Sequence, residues 1–103
     1  MIDIDPQSLQ QKLAGEKPPF LLDVRMPPEL AAEGRIEGSV NIPMNQLPQR
    51  LGEIPQDAQV VAVCKSGMRS MNAAGWLRQL GRDAANLSGG MDRWKALGLP
   101  VLR

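Results

Sequence analysis

The chain has 103 residues and a mass of 11.2 kDa, so it holds one compact domain spanning 1–103. Its 43% hydrophobic content supports a packed core and excludes a disordered chain, and ten Gly with nine Pro point to many turns between short elements. Twelve Lys and Arg against eleven Asp and Glu leave +1 with no run of like charge, and only three residues in a hundred are aromatic. Nucleic-acid and anionic-membrane binding are therefore excluded as the main function.

No histidine and a single cysteine, Cys64, exclude a Cys/His zinc set, a histidine-based triad and an internal disulfide. The amino end carries Asp3 and Asp5 without a basic region, unlike a signal peptide. The longest apolar run, Val60 to Cys64, is far below the ~18 residues of a spanning helix. A soluble, cytoplasmic protein is the expectation, and a monomer is the simplest assembly.

Asp5 and Pro6 form an N-cap and first helical residue, with Leu9 and Leu13 one turn apart and Gly15 as the stop. Ile4 and Leu9 have the spacing of a hydrophobic staple. Phe20 to Val24 is a buried strand, and Pro27 to Ala32 a short helical turn ended by Gly34. Ser39 to Ile42 is a second strand, and Gln46 to Leu51 a short helix before Ile54-Pro55. Gln59 to Cys64 is β-branched without polar alternation, the pattern of a strand covered on both faces. Ser70 to Leu80 has the apolar stripe Ala73, Trp76, Leu77, Leu80 of a helix, ended by Gly81. Ala84 to Leu87 is a short strand, and Met91 to Leu97 a last helix closed by Gly98.

Alternating strands and helices predict an α/β fold: a small parallel sheet of four to five strands with helices on both faces. Ligands of such sheets sit beyond the carboxyl ends of the strands. The polar segments around Asp23-Val24-Arg25, Asn41-Ile42-Pro43, Cys64 to Arg69 and Ser88-Gly89-Gly90 fall at those ends.

The segment Cys64-Lys65-Ser66-Gly67-Met68-Arg69-Ser70 joins the strongest strand to the strongest helix. Gly67 permits positive φ, so successive N–H groups can turn inward, and the helix start adds unpaired amides and the positive end of its dipole. Lys65 and Arg69 add two cations, and every one of these features favours a thiolate. Arg69 opposes the dipole in the first helical turn, a broken local rule beside a thiol. The alternative is a small buried cysteine with a solvated lysine beside it.

Together with Leu22-Asp23-Val24-Arg25, Glu29-Leu30, Gly34-Arg35-Ile36-Glu37-Gly38-Ser39-Val40-Asn41-Ile42-Pro43 and Leu87-Ser88-Gly89-Gly90-Met91-Asp92-Arg93-Trp94, this loop resembles a single-domain rhodanese over nearly the whole chain. The resemblance implies transfer of a sulfane sulfur from a donor such as thiosulfate to cyanide or a thiol. It implies a persulfide on Cys64, an outer sulfur cradled by the amides of Lys65, Ser66, Gly67, Met68 and Arg69, and no metal or organic cofactor. Arg69 and Lys65 would hold the anionic end of the donor, and Met68 would shape the mouth. Arg35 stands where the family commonly has His, and Leu30 where an aromatic is usual; both are taken as scaffold positions. Asp23 and Arg25 follow the family pattern and are read as a structural ion pair supporting the site, and Ser70 is read as a further support of the site.

Three other functions compete. Cysteine-dependent phosphatases and arsenate reductases resemble this chain, but they place five residues between Cys and Arg where this chain has four. Non-catalytic rhodanese-like binding modules commonly lose the cysteine. A redox sensor needs a resolving thiol from outside, because the chain has no second cysteine.

Overall fold

The computed structural model describes residues 2–103. Five strands form one parallel sheet: β1 (Asp3–Ile4), β2 (Phe20–Asp23), β3 (Val40–Asn41), β4 (Gln59–Val63) and β5 (Asp83–Leu87), in the order β1-β5-β4-β2-β3. Four helices accompany them: α1 (Pro6–Leu13), α2 (Pro27–Glu33), α3 (Met68–Gln79) and α4 (Gly90–Ala96).

The central strand explains why the sheet is covered twice. Val60, Ala62 and Cys64 enter one apolar cluster with Ala73, Ala74 and Leu77 of α3, whereas Val61 and Val63 enter another with Leu9 of α1 and Met91 and Trp94 of α4. Side chains alternate across a strand, so an unbroken apolar run serves both clusters. Cys64 extends this alternation and falls on the α3 side. The Asp5 cap is present, with its Oδ1 accepting the Ser8 N–H at 2.7 Å.

Several elements differ from the sequence pattern. β1 is an unforeseen edge strand of two residues, too short for any periodicity to reveal, and it pairs Asp3 with Asn86 and Ile4 with Leu87. No single helix covers residues 46–51; Met44–Gln46 and Leu51–Glu53 form separate 3₁₀ turns. Pro48, which has no N–H to donate, lies between them. α3 begins at Met68 rather than Ser70, and its buried stripe is Ser70, Ala73, Ala74 and Leu77. Trp76 is half-buried and Leu80 is exposed, because Leu80 already caps the helix. Arg35 serves the scaffold through its backbone, exchanging hydrogen bonds with Leu102 at 2.9 and 2.7 Å.

The chain leaves β2 toward β3 on one side and leaves β4 toward β5 on the other. The order of connection therefore switches between β2 and β4, and ligand sites of parallel sheets lie beyond the strand ends at such a switch. Val24 and Cys64 are the residues that follow those two strands.

Candidate active site

Cys64 directly follows β4 and is fully buried. Its Sγ receives the Gly67 N–H at 3.1 Å, the Ser70 N–H at 3.4 Å and lies 3.2 Å from Ser70 Oγ. The turn that aims these amides depends on Gly67, which has φ +99° and caps α3 in the left-handed region. The Cys64 and Lys65 carbonyls point the other way, accepting the Met91 and Asp92 N–H groups at 2.8 and 2.9 Å. α4 thus turns the loop's acceptors away from the sulfur and leaves its donors facing it.

Gly90 is the contact that permits this. A Cβ there would lie 2.5 Å from both the Cys64 and the Lys65 carbonyl oxygen, so no larger residue fits without moving the cysteine loop. The sequence pattern places Ser88-Gly89-Gly90 at a strand end, and the structure packs Gly90 directly against the backbone of the cysteine loop.

Burial pushes the Cys64 thiol up, but hydrogen bonds from Ser70, from its backbone and from Gly67 and Arg69 outweigh that and bring it below its ordinary value. The expectation that every feature favours the thiolate is thus corrected, since burial opposes it. Lys65 and Arg69 are also not free cations. Arg69 makes a two-pronged pair with Glu29, Nη1 to Oε2 and Nη2 to Oε1, each at 2.8 Å. Lys65 Nζ lies 3.2 Å from Glu33 and 3.1 Å from Asp92. Each pair holds the cation's pKa above its ordinary value, chiefly through the hydrogen bonds the cation donates to the carboxylates.

Ser66 and Met68 are exposed on the loop, with Met68 reaching 70% exposure. Asp23 and Arg25 are both buried, joined at 2.7 Å, and Arg25 also reaches the Gly34 carbonyl at 2.9 Å. They stitch the end of β2 to the end of α2 and contact neither Sγ nor the cysteine loop through any hydrogen bond. Asn41 supports the same corner, donating from Nδ2 to the Asp23 and Arg25 carbonyls at 2.9 and 2.8 Å.

Two further residues belong to the site. Glu29 of α2 holds Arg69, and Asn86 of β5 accepts the Ser70 hydroxyl while its Nδ2 donates to Asp3 at 3.2 Å. Asn86 had one visible signal, a polar residue inside the buried run Ala84-Ala85-Asn86-Leu87. Among the described residues, no cluster of His, Cys, Asp or Glu is arranged to hold a metal ion, and no helix is long and apolar enough to cross a membrane.

The family model for the rhodanese-like domain matches residues 5–97. A protein named sulfurtransferase from Allochromatium vinosum is 42% identical over 101 residues, covering 97% of this chain and 94% of that protein. The crystal structure of a rhodanese-related protein from Thermoplasma volcanium superposes with a TM-score of 0.91 at 31% identity, covering 99% of this chain and 98% of that one. A rhodanese-like domain protein from Staphylococcus aureus gives 0.88 at 34% identity, with full coverage of both chains.

Proposed function

The chain belongs to the rhodanese-like domain family, and from that premise we propose that it transfers sulfane sulfur from thiosulfate or a related persulfide to cyanide or a thiol, through a persulfide on Cys64. In the first step the Cys64 thiolate attacks the outer sulfur of thiosulfate. The S–S bond of the donor breaks and sulfite leaves with the electron pair. In the second step the acceptor attacks the outer sulfur of the Cys64 persulfide, and the thiolate departs unchanged. Protein thiols serve as nucleophiles only when ionised, so the donors converging on Sγ from Gly67 and Ser70 are the observation that carries this reading. The inward amides of the loop from Lys65 to Arg69 cradle the outer sulfur. Asp23 and Arg25 support the site indirectly, by fixing the corner where β2 meets α2.

The sulfur is fully buried, so the donor enters by displacing side chains at the mouth, where Met68 is the most exposed. The loop spacing speaks against phosphoryl transfer. Four residues between Cys64 and Arg69 close a smaller ring of amides than five would, and Arg69 is already engaged by Glu29.

Incubation with thiosulfate followed by intact mass measurement tests the proposal. The wild-type chain gains the mass of one sulfur, Cys64→Ser gains none, and cyanide removes the adduct with release of thiocyanate. A wild-type chain that stays unmodified by thiosulfate and by persulfides, with Cys64 still open to alkylation, sinks the transferase in favour of a binding module.

A further inference from the structure

Three cations on and around the cysteine loop are matched by acids. Arg69, Lys65 and Lys95 stand against Glu29, Glu33 and Asp92, with Lys95 Nζ 3.7 Å from Glu33 and the closer pairs as given above. Glu29 is the most firmly held of the three acids. Its Oε2 also accepts the Met26 N–H at 2.7 Å, and its own N–H returns to the Met26 carbonyl at 2.9 Å. This reciprocal bonding fixes the carboxylate in the first turn of α2, aimed at Arg69. A donor that needs Arg69 must break two charge-assisted bonds or settle beside a fixed negative charge.

We propose that Glu29 is a specificity-determining charge gate: it occupies Arg69 against dianionic donors and biases the site toward sulfane donors whose body carries less negative charge. The inference rests on the sulfur-transfer role proposed for Cys64 and adds a donor preference to it. With thiosulfate, the Cys64 thiolate would gain the outer sulfur and sulfite would leave, all beside the Glu29 carboxylate. With a persulfide R–S–SH, the thiolate attacks the terminal sulfur, the S–S bond breaks, and R–S⁻ leaves with the electron pair, yielding Cys64–S–SH. Atoms and charge balance in both, but only the first brings two negative charges to the rim. The exposed thioether of Met68 on the loop suits an uncharged donor body.

The test compares the second-order rates at which Cys64 gains one sulfur, read by intact mass at timed quench. The donors are thiosulfate and the neutral-bodied 2-hydroxyethyl persulfide. The variant is Glu29→Gln, and Asp57→Asn removes the same charge at the opposite, amino end of β4. Gln at this position retains the capping geometry, and the ratio of the two rates cancels any loss of folded protein. Glu29→Gln raises the thiosulfate-to-persulfide ratio about tenfold, the order expected when one full charge is removed beside a dianion at a half-exposed site, and Asp57→Asn leaves the ratio within about twofold. An unchanged ratio in Glu29→Gln, or an equal rise in Asp57→Asn, overturns the gate while leaving sulfur transfer intact. Failure of the wild-type chain to load from either donor is a separate result, which overturns the transfer role and the gate with it.

Discussion

Asp23 with Arg25 and Glu29 with Arg69 are the same chemical pair, a guanidinium against a carboxylate, set at different depths. The first pair is only 1% exposed on either side, whereas Arg69 and Glu29 are 39% and 24% exposed. The deep pair is locked by neighbours: Asp23 Oδ1 also accepts the Arg25 backbone N–H at 3.1 Å, and Arg25 reaches the Gly34 carbonyl. Even so, Arg25 Nη1 is buried without a hydrogen-bond partner. The shallow pair is partly exposed and ties α2 to the segment that follows Cys64. Depth therefore divides the labour, with one pair holding the corner and the other available to the chemistry.

Breaking the deep pair has the largest consequence. Asp23→Ala leaves a buried guanidinium uncompensated, and such losses cost about 3–5 kcal/mol. That is a large part of the stability of any small domain. Urea unfolding measures it directly, and a loss below about 1 kcal/mol would show that water or another group readily replaces Asp23.

How much of this is legible in the amino-acid sequence follows the range of the interactions. β4 reads from its own composition, because a strand buried on both faces has an unbroken apolar run. The Asp5 cap and the positive φ of Gly67 are likewise local. The thiol's position follows from the order of elements, since a parallel sheet gathers its strand ends on one side. Other features require distant partners. Glu29 and Arg69 lie 40 positions apart, so the sequence displays a cation but not its neutralisation. Gly90 constrains the cysteine loop only because α4 packs against it. β1 has too few residues to announce itself, yet it places Asp3 against Asn86 and so reaches the thiol through Ser70.

The chain from Ser70 to Asn86 sharpens the contrast between support and chemistry. Asn86 Nδ2 donates to Asp3, which turns its Oδ1 toward Ser70. The single Ser70 hydroxyl proton then faces two acceptors, the Asn86 amide oxygen and an ionised Sγ. Ser70→Ala removes that donor, so the Cys64 thiol rises relative to the wild-type value and the alkylation profile moves to higher pH. The same change orphans the buried Asn86 oxygen, at a cost of about 1–3 kcal/mol. If stability falls while the alkylation profile stays in place, Ser70 is a packing residue and the backbone N–H groups of Gly67 and Ser70 alone hold the thiolate.

The smallest effect on stability belongs to the shallow pair, and its sign is set by protons. The Arg69 guanidinium, opposed by burial and aided by the Met26 N–H, holds the Glu29 carboxyl down at about 2, against 4.5 ordinarily. The folded chain thus keeps Glu29 ionised where the unfolded chain would protonate it. Its contribution is fully present above pH 4.5 and is lost as pH falls toward about 2. Solvent screens a pair this exposed, so the contribution at neutral pH stays below about 1 kcal/mol. Glu29→Gln should therefore be slightly less stable than wild type near neutrality, with the gap narrowing as the two are unfolded at successively lower pH below 4.5. A gap that stays constant across that range would mean that Glu29 acts through the α2 cap and not through Arg69. A gap that closes, joined to a large change in donor preference, would show that this pair matters more to which molecule reaches Cys64 than to whether the chain folds.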